Sequence, residues 1–273
     1  MEPSNPNHYH IPGYTIRLDL PIASGAFGVV YRGESVTSST GTICAVKVIP
    51  KTCLATTLAV HREILHHSAA SPHPDVLTLN NSTETATCGF LVLPYIPNGT
   101  LSDQIYLHRY FIRYPAQIAP IFFKIVSAVS YCHNHGIAHR DIKPANILCS
   151  HDDVYLADFG LPTTTQQSDQ FGCGTWAYMS PECLGGFTRS VAHYDTFANN
   201  VWSLGVLLIN LIHANKFWSE ATGNNSGFCE FVLGAGNILS TQSPADLLLI
   251  MNMCTAEEER IPIDQVLNRL ILV

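Results

Sequence analysis

The order of strand-like and helix-like segments constrains the fold of this chain more than any other feature. The first ninety or so residues contain short β-branched or alternating runs, YTIRLDL, GVVYRG, TICAVKVI, VLTL and GFLVLP, separated by Gly, Ser, Thr and Asn. One helical segment at about 55–68 interrupts them, because Leu58, His61, Ile64 and Leu65 recur at helical spacing. The rest of the chain has a helical pattern. This segregation predicts an α+β fold with two lobes.

The two lobes are expected to meet near PYIPNGT, where two prolines and a glycine punctuate the chain. No internal repeat separates further domains. We therefore predict one domain over residues 1–273, with a small β-rich lobe at about 10–94, a hinge at about 94–99 and a larger helical lobe at about 100–273.

Composition limits the classes of partner. The 273 residues carry a net charge of −7 and only 13% charged residues, which disfavours nucleic-acid binding. Nine scattered cysteines without a C-x-x-C pair, and no signal peptide, indicate a reducing compartment. The longest strongly apolar run, around VWSLGVLLINLI, is shorter than the ~20 residues that span a bilayer. We expect an intracellular protein of cytoplasm or nucleus, monomeric and without a membrane partner.

A glycine-containing segment lies between two strand-like runs. Residues 22–30 read IASGAFGVV, which approaches G-x-G-x-x-G-x-V but has Ala23 at the first glycine position. Gly25 and Gly28, without a Cβ, let backbone N–H groups approach phosphate oxygens. An ordinary β-hairpin is the alternative, and this stretch alone does not decide between them.

A lone lysine lies inside the next apolar strand. Burying the Lys47 ammonium is costly unless an anion meets it. Glu63 on the following helix is a candidate, and an ammonium held there could also contact a nucleotide phosphate. A surface lysine with a surface glutamate is the alternative interpretation.

The decisive motifs lie in the helical half. IAHRDIKPANIL at 137–148 is followed by DFG at 158–160, MSPE at 179–182 and VWSLG at 201–205. In order and separation these segments resemble the catalytic and magnesium-binding loops of protein kinases and the motifs that follow them. The resemblance extends from residue 22 to Arg260, and in the helical lobe it is most similar to fungal kinases of the meiosis-repressing type.

The resemblance implies ATP-dependent phosphoryl transfer to protein substrates. Asp141 would orient the acceptor hydroxyl, Lys143 would stabilise charge on the transferred group, and Asn146 and Asp158 would hold Mg²⁺, which prefers oxygen ligands. Lys143, two residues after Asp141, and Gly174-Thr175 resemble serine/threonine kinases.

The same resemblance implies which residues contact ATP. Three apolar side chains would sandwich the adenine, and the hinge at 93–96 would offer backbone hydrogen bonds to its edge. The implied nucleotide-contacting residues are Ile22, Ala23, Gly25, Gly28, Val30, Ala45, Lys47, Leu93, Tyr95, Ile96 and Leu148.

Two departures from the family pattern keep a second hypothesis open. Ala23 replaces a loop glycine, and Asn200 stands where the family has an aspartate that accepts backbone N–H bonds from the catalytic loop. At Ala23 we expect only a partial loss of nucleotide binding by the loop. At Asn200 we expect the support of the catalytic loop to be weaker by about 1 kcal/mol. A pseudokinase or scaffold that binds nucleotide is the alternative. A small-molecule kinase is disfavoured by the S-P-E segment and Thr175.

The activation segment, Asp158 to Glu182, also departs from the family pattern. Phe171 occupies the position where many kinases carry an activating phosphosite, so Arg140 would pair with Asp169, with a modified Ser168 or with nothing. Our hypothesis is constitutive activity. The nearby Cys132, His133, His135 and His139 could suggest zinc, but the resemblance favours packed histidines of the kinase fold.

Overall fold

The structure is a computed structural model that describes residues 11, 16–25, 28–35, 42–185, 191–238 and 244–271. The chain divides into two compact units, Met1–Pro97 and Asn98–Val273. Both ends of the predicted 1–273 domain, and the predicted start of the small lobe at residue 10, lie outside the described residues.

The first unit is built on an antiparallel sheet with strand order β1-β2-β3-β5-β4. One long helix follows the third strand. The elements are β1 (Ile16–Gly25), β2 (Gly28–Ser35), β3 (Ile43–Pro50), α1 (Leu54–Ala70), β4 (Asn81–Glu84) and β5 (Cys88–Pro94).

The two faces of this sheet bury different side chains. On one face, Cys44, Val46 and Val48 of β3 belong to a core with residues of β1 and β5. On the other face, Ile49 packs with Leu91 of β5 and Val60 of α1. Because side chains alternate along a strand, Lys47 and Ala45 share the face of Ile49.

Helix α1 confirms the predicted helix but buries a different face. Leu58 and Leu65, part of the predicted apolar stripe, are exposed. The buried face instead carries Val60, Glu63 and His67 among its residues. His67 is held there by a 2.6 Å hydrogen bond between Nε2 and the Leu77 carbonyl. Polar side chains with partners inside the unit, and not the leucines, orient this helix.

The predicted strand VLTL is also wrong. Val76 and Leu77 are buried in an irregular segment, and the edge strand β4 is formed by the polar residues Asn81–Glu84. An edge strand needs partners for its backbone on one side only and tolerates polar side chains. The hydrophobic pattern therefore located the buried irregular segment at Val76 and Leu77 and not the polar edge strand.

The second unit is mainly helical, and its described residues also form two short two-stranded antiparallel sheets. Together with the sheet of the first unit it confirms the predicted α+β fold. Its elements are α2 (Tyr110–Arg113), α3 (Ile118–Asn134), β6 (Ile147–Ser150), β7 (Asp153–Leu156), β8 (Gln167–Ser168), β9 (Tyr194–Asp195), α4 (Thr196–His213), α5 (Ser226–Ile238), α6 (Pro244–Met253) and α7 (Ile263–Ile271).

Helix α3 is the central apolar helix of this unit. The helical stretch Pro115–Asn134 is long and apolar enough to cross a membrane by length and composition, unlike the shorter run singled out from the sequence. It packs against α4 and α7 and buries Phe122 and Val126 completely. These properties are those of the core helix of a helical unit.

Asp195 caps the first turn of α4. Its Oδ1 accepts the backbone N–H groups of Phe197 and Ala198 at 2.8 and 2.9 Å. Its Oδ2 accepts the side-chain amide of Gln166 at 2.8 Å, and its own N–H donates to Glu257 at 2.9 Å. One aspartate thus joins the start of α4 to two loops.

Candidate active site

The strand unit contains a buried ion pair. Lys47 Nζ lies 2.6 Å from Glu63 Oε1, and the two side chains are 10% and 3% exposed. The alternative of a surface lysine and a surface glutamate is therefore wrong. Burying an ammonium is costly without a counter-charge, and the Glu63 carboxylate supplies one.

Several predicted nucleotide-contacting residues lie in one row beside this ion pair. Val30 is the cross-strand partner of both Ala23 and Lys47, and Ala45 is the partner of Leu93. Directly paired residues project from the same face of a sheet. The face that carries Lys47 therefore also carries Ala23, Val30, Ala45 and Leu93.

The glycine segment forms a hairpin whose strands pair as far as Gly25 and Gly28. Gly28 has φ +138°, and a Cβ there would lie 2.2 Å from the Val48 carbonyl oxygen, whereas a Cβ on Gly25 would meet nothing within 4 Å. Ala23 is not among the described residues with positive φ. Alanine thus fits at position 23 without backbone strain.

Replacing Gly28 by alanine is expected to lower the free energy of unfolding by more than about 1 kcal/mol, because both φ and the Val48 carbonyl oppose a Cβ. Gly25→Ala is the matched control and should change stability by less than about 0.5 kcal/mol. Urea unfolding measures both. Equal stability of the two variants would contradict the close approach of the Gly28 backbone to the Val48 carbonyl oxygen.

The remaining predicted nucleotide-contacting residues lie on several different elements of the two units. Ile22 is 48% exposed on β1. Tyr95 and Ile96 are half-buried just after β5, and the Arg32 guanidinium lies 6.0 Å from the centre of the Tyr95 ring. Leu148 is half-buried on β6 of the helical unit.

The catalytic loop of the helical unit centres on the buried carboxylate of Asp141. Its Oδ1 accepts the Thr175 hydroxyl at 2.7 Å, and its Oδ2 accepts Lys143 Nζ at 2.8 Å and Asn146 Nδ2 at 2.9 Å. Lys143 Nζ also donates to the Thr175 hydroxyl at 2.7 Å. Three of the predicted site residues thus form one network, and Thr175, which sequence reasoning used only as a marker of acceptor type, belongs to it.

The residues on either side of this network adopt strained backbone conformations. Arg140 and Asp158 have φ of 65° and 63°, which is uncommon for residues other than glycine. Gly174 permits a close approach to the Arg140 backbone, because a Cβ at position 174 would lie 2.4 Å from the Arg140 carbonyl oxygen. Such strain persists only where the surroundings enforce it, and it often marks functional sites.

His139 connects the catalytic loop to the segment before Asp158. Its Nε2 donates to the Ala157 carbonyl at 3.1 Å, and its ring packs against the Phe159 ring with centroids 5.0 Å apart. Burial lowers the pKa of His139. Its Nδ1 accepts the Asp141 N–H at 3.4 Å, which fits a ring with its proton on Nε2. This arrangement matches the interpretation of His139 as a packed, hydrogen-bonded residue.

The Arg140 side chain pairs with a residue that the sequence argument did not name. Its Nε donates to the Leu161 carbonyl at 2.8 Å and its Nη1 donates to Gln170 Oε1 at 3.1 Å. The predicted alternatives were Asp169, a modified Ser168 or no partner. Ser168 is buried, and its hydroxyl accepts the Gln170 N–H at 3.1 Å. A neutral amide therefore occupies the place considered for a negative group.

Asn200 accepts the Arg140 N–H through Oδ1 at 3.0 Å and is completely buried. The expected bond from the catalytic loop is therefore present without a charged acceptor. The amide nitrogen of Asn200 lies 3.0 Å from His133 Nε2. Asn200 thus joins α4, the end of α3 and the catalytic loop.

The predicted metal ligands suit a hard cation. Both hydrogen bonds of Asn146 Nδ2 go to Asp141, one to the carbonyl oxygen and one to Oδ2, each at 2.9 Å, so the amide presents Oδ1 as a ligand. Asp158 offers a half-buried carboxylate on the loop next to Phe159. One amide and one carboxylate oxygen, completed by phosphate and water, are typical of Mg²⁺. Over the described residues, no three His, Cys, Asp or Glu side chains form a metal-binding group.

Comparison with known proteins agrees with this geometry. A family profile described as protein kinase domain matches residues 18–269. The chain is 36% identical over 250 residues to a negative regulator of sexual conjugation and meiosis from Schizosaccharomyces pombe, covering 84% of this chain and 53% of that protein. It is 32% identical over 196 residues to the serine/threonine-protein kinase VHS1 of Saccharomyces cerevisiae, covering 67% and 42%. A SNF-related serine/threonine-protein kinase of Rattus norvegicus is 33% identical over 215 residues, with 77% and 28% covered.

The chain belongs to the protein kinase family, and its relatives include serine/threonine kinases. The predicted resemblance and the two-lobed kinase fold are confirmed, and the family uses ATP as phosphoryl donor and proteins as acceptors. The matched region spans about half the length of the first of these relatives and less of the other two.

Proposed function

We propose that this chain is a serine/threonine protein kinase that transfers the γ-phosphoryl group of ATP to a serine or threonine hydroxyl of a protein substrate. The observation that carries the proposal is the network of Asp141, Lys143 and Thr175, in which a buried carboxylate contacts an ammonium and a hydroxyl at 2.7–2.8 Å. A carboxylate in this setting can orient an acceptor hydroxyl and take up its proton.

The helical unit supplies the groups that act on the acceptor and on the transferred phosphoryl group. Asp141 Oδ1 accepts the Thr175 hydroxyl in the structure, which shows that this oxygen can accept a hydroxyl group. The hydroxyl of a substrate bound at Asp141 would be oriented for attack in the same way. Lys143 would stabilise negative charge that develops on the phosphoryl oxygens, which is the main task of the protein in this reaction.

Nucleotide binding is proposed for both units, each through its own residues. In the strand unit, Lys47, fixed by Glu63, would contact phosphate, and the row of apolar side chains beside it would contact the base. In the helical unit, Asn146 and Asp158 would hold Mg²⁺. When bound, Mg²⁺ neutralises charge on the phosphate oxygens.

The pseudokinase alternative rested on Ala23 and Asn200. Ala23 pairs with Val30 just after a register shift of the strand pair and has no positive φ, and Asn200 still accepts the Arg140 N–H. Neither substitution removes a group that the proposed chemistry needs. We expect Ala23→Gly to change ATP affinity only modestly.

The proposed activity is tested by incubating the purified protein with labelled ATP, Mg²⁺ and a generic protein acceptor. Asp158→Asn is the control, because it removes the carboxylate proposed to hold Mg²⁺. We expect labelling by the wild-type protein and a loss of more than tenfold in the variant. Equal labelling by both proteins, or none by the wild type, would contradict the proposal.

We expect activity that does not depend on phosphorylation of the activation segment, because Gln170 already contacts Arg140. Treating the protein with phosphatase should leave kcat unchanged within about twofold. An obligatory phosphate on Thr163, Thr164, Thr165 or Ser168, found by mass spectrometry and required for activity, would contradict this hypothesis.

We also propose that the protein acts as a monomer inside the cell, in cytoplasm or nucleus, without nucleic-acid or membrane partners. The net charge of −7 and the unpaired, scattered cysteines support this proposal. Light scattering coupled to size-exclusion chromatography tests the oligomeric state, and a mass near 29.9 kDa is expected.

A further inference from the structure

The hydrogen-bond pattern around Asn200 leaves one orientation for its side-chain amide. The Arg140 backbone N–H is a donor, so the amide atom 3.0 Å from it must be the oxygen Oδ1. The NH₂ group then faces His133, whose Nε2 lies 3.0 Å away. The reverse orientation would place two donors against each other at Arg140.

This orientation in turn determines the state of His133. An NH₂ group can only donate, so Nε2 of His133 must accept, and the ring must be neutral with its proton on Nδ1. Burial lowers the pKa of His133 to about 4 in spite of the opposing effect of the Asp195 carboxylate. The Phe197 ring packs edge-on against the imidazole with centroids 4.7 Å apart and offers no charge.

We propose that His133 is a further positioning residue for the phosphoryl-transfer reaction, acting through Asn200 on the catalytic loop. The lone pair of Nε2 fixes the Asn200 amide, and the Asn200 oxygen then holds the N–H of Arg140 in its left-handed conformation directly before Asp141. The effect on rate rests on the proposed kinase activity. The His133–Asn200 hydrogen bond does not depend on that activity.

The pair also explains how asparagine replaces aspartate at position 200. A carboxylate could accept the Arg140 N–H but could not donate to an imidazole protonated on Nδ1. An aspartate there would require His133 to carry a proton on Nε2. Asn200 and the neutral, Nδ1-protonated form of His133 are therefore matched to each other.

A spectroscopic experiment on the full chain tests the assigned proton position independently of activity. In ¹⁵N–¹H correlation spectra of the imidazole groups at pH 7, His133 Nε2 should appear unprotonated, and the His133→Gln variant identifies its signal by loss. In Asn200→Asp the Nε2 signal should move to the protonated range. A protonated Nε2 in the wild-type protein, or no change in the variant, would overturn the proposal.

A matched pair of variants tests the effect on rate. His133→Gln retains an acceptor for the Asn200 NH₂ group, whereas His133→Leu does not. We expect kcat of the leucine variant to be roughly tenfold below that of the glutamine variant, with KM for ATP similar in both, as the loss of one buried hydrogen bond implies. Thermal unfolding of both variants reports the loss of packing separately.

The outcomes are distinct. Equal kcat in the two variants would reduce His133 to a packing residue and overturn the proposal. If the wild-type protein shows no phosphoryl transfer, the proposed function fails, and the imidazole spectra still decide whether the His133–Asn200 pair is as assigned.

Discussion

Replacing Asp141 by asparagine is expected to lower kcat for phosphoryl transfer by roughly 10²–10⁴-fold, the usual contribution of a positioned general base. The amide keeps the size of the side chain but cannot take up the proton of the acceptor hydroxyl. It also places an NH₂ group where the carboxylate now accepts Lys143, Asn146 or Thr175. A labelled-ATP assay with a protein acceptor measures the loss.

Asp153→Asn is the matched control for this experiment. Asp153 is an exposed aspartate of the same unit, paired with Lys124 across 2.5 Å, and should change kcat by less than twofold. Circular dichroism should show the fold of Asp141→Asn to be intact. Retention of kcat within tenfold in Asp141→Asn would contradict the role proposed for this carboxylate.

Lys47→Met is expected to abolish phosphoryl transfer and to lower the free energy of unfolding by about 3–5 kcal/mol. The two effects have different causes. The loss of activity follows from the missing ammonium at the nucleotide phosphates. The loss of stability follows from the Glu63 carboxylate, which is 3% exposed and would remain buried without its counter-charge.

A double variant separates the two causes. In Lys47→Met/Glu63→Gln the buried charge is gone, so most of the stability should return while activity stays absent. Arg17→Met is the surface control in the same sheet, because Arg17 pairs with Glu34 at 2.5 Å but is 50% exposed, and it should cost less than about 1 kcal/mol. If the double variant were no more stable than Lys47→Met, the ion pair would not account for the loss.

The parts of the fold and site that sequence predicted are those that local pattern determines. The catalytic loop is a contiguous stretch, so the resemblance to protein kinases identified Asp141, Lys143 and Asn146 together, and the structure joins all three in one network. Four of the five strands of the sheet were located by their β-branched or alternating runs, whereas the polar edge strand β4 was missed. Glu63 was a candidate partner for Lys47, because a lysine within an apolar strand needs an anion, and the structure has this pair and not the surface alternative.

The parts that sequence missed depend on partners far along the chain. The buried face of α1 is set by Glu63 and His67, whose partners lie on β3 and in the loop at Leu77, and polar residues carry no hydrophobic signal. The partner of Arg140 was sought among negatively charged groups. The path of the activation segment brings the neutral side chain of Gln170 there instead. The Asn200–His133 bond joins residues 67 positions apart.

Asp195 has a consequence for the genetics of this protein. Its carboxylate caps α4 and holds Gln166, so substitutions at this codon remove a helix cap worth about 0.5–2 kcal/mol together with a loop contact. A stability loss of that size lowers the amount of protein in a cell several-fold. Loss-of-function alleles at Asp195 should therefore accumulate little protein, whereas alleles at Asp141 should accumulate normal amounts, and an immunoblot of the mutants would sort one class from the other.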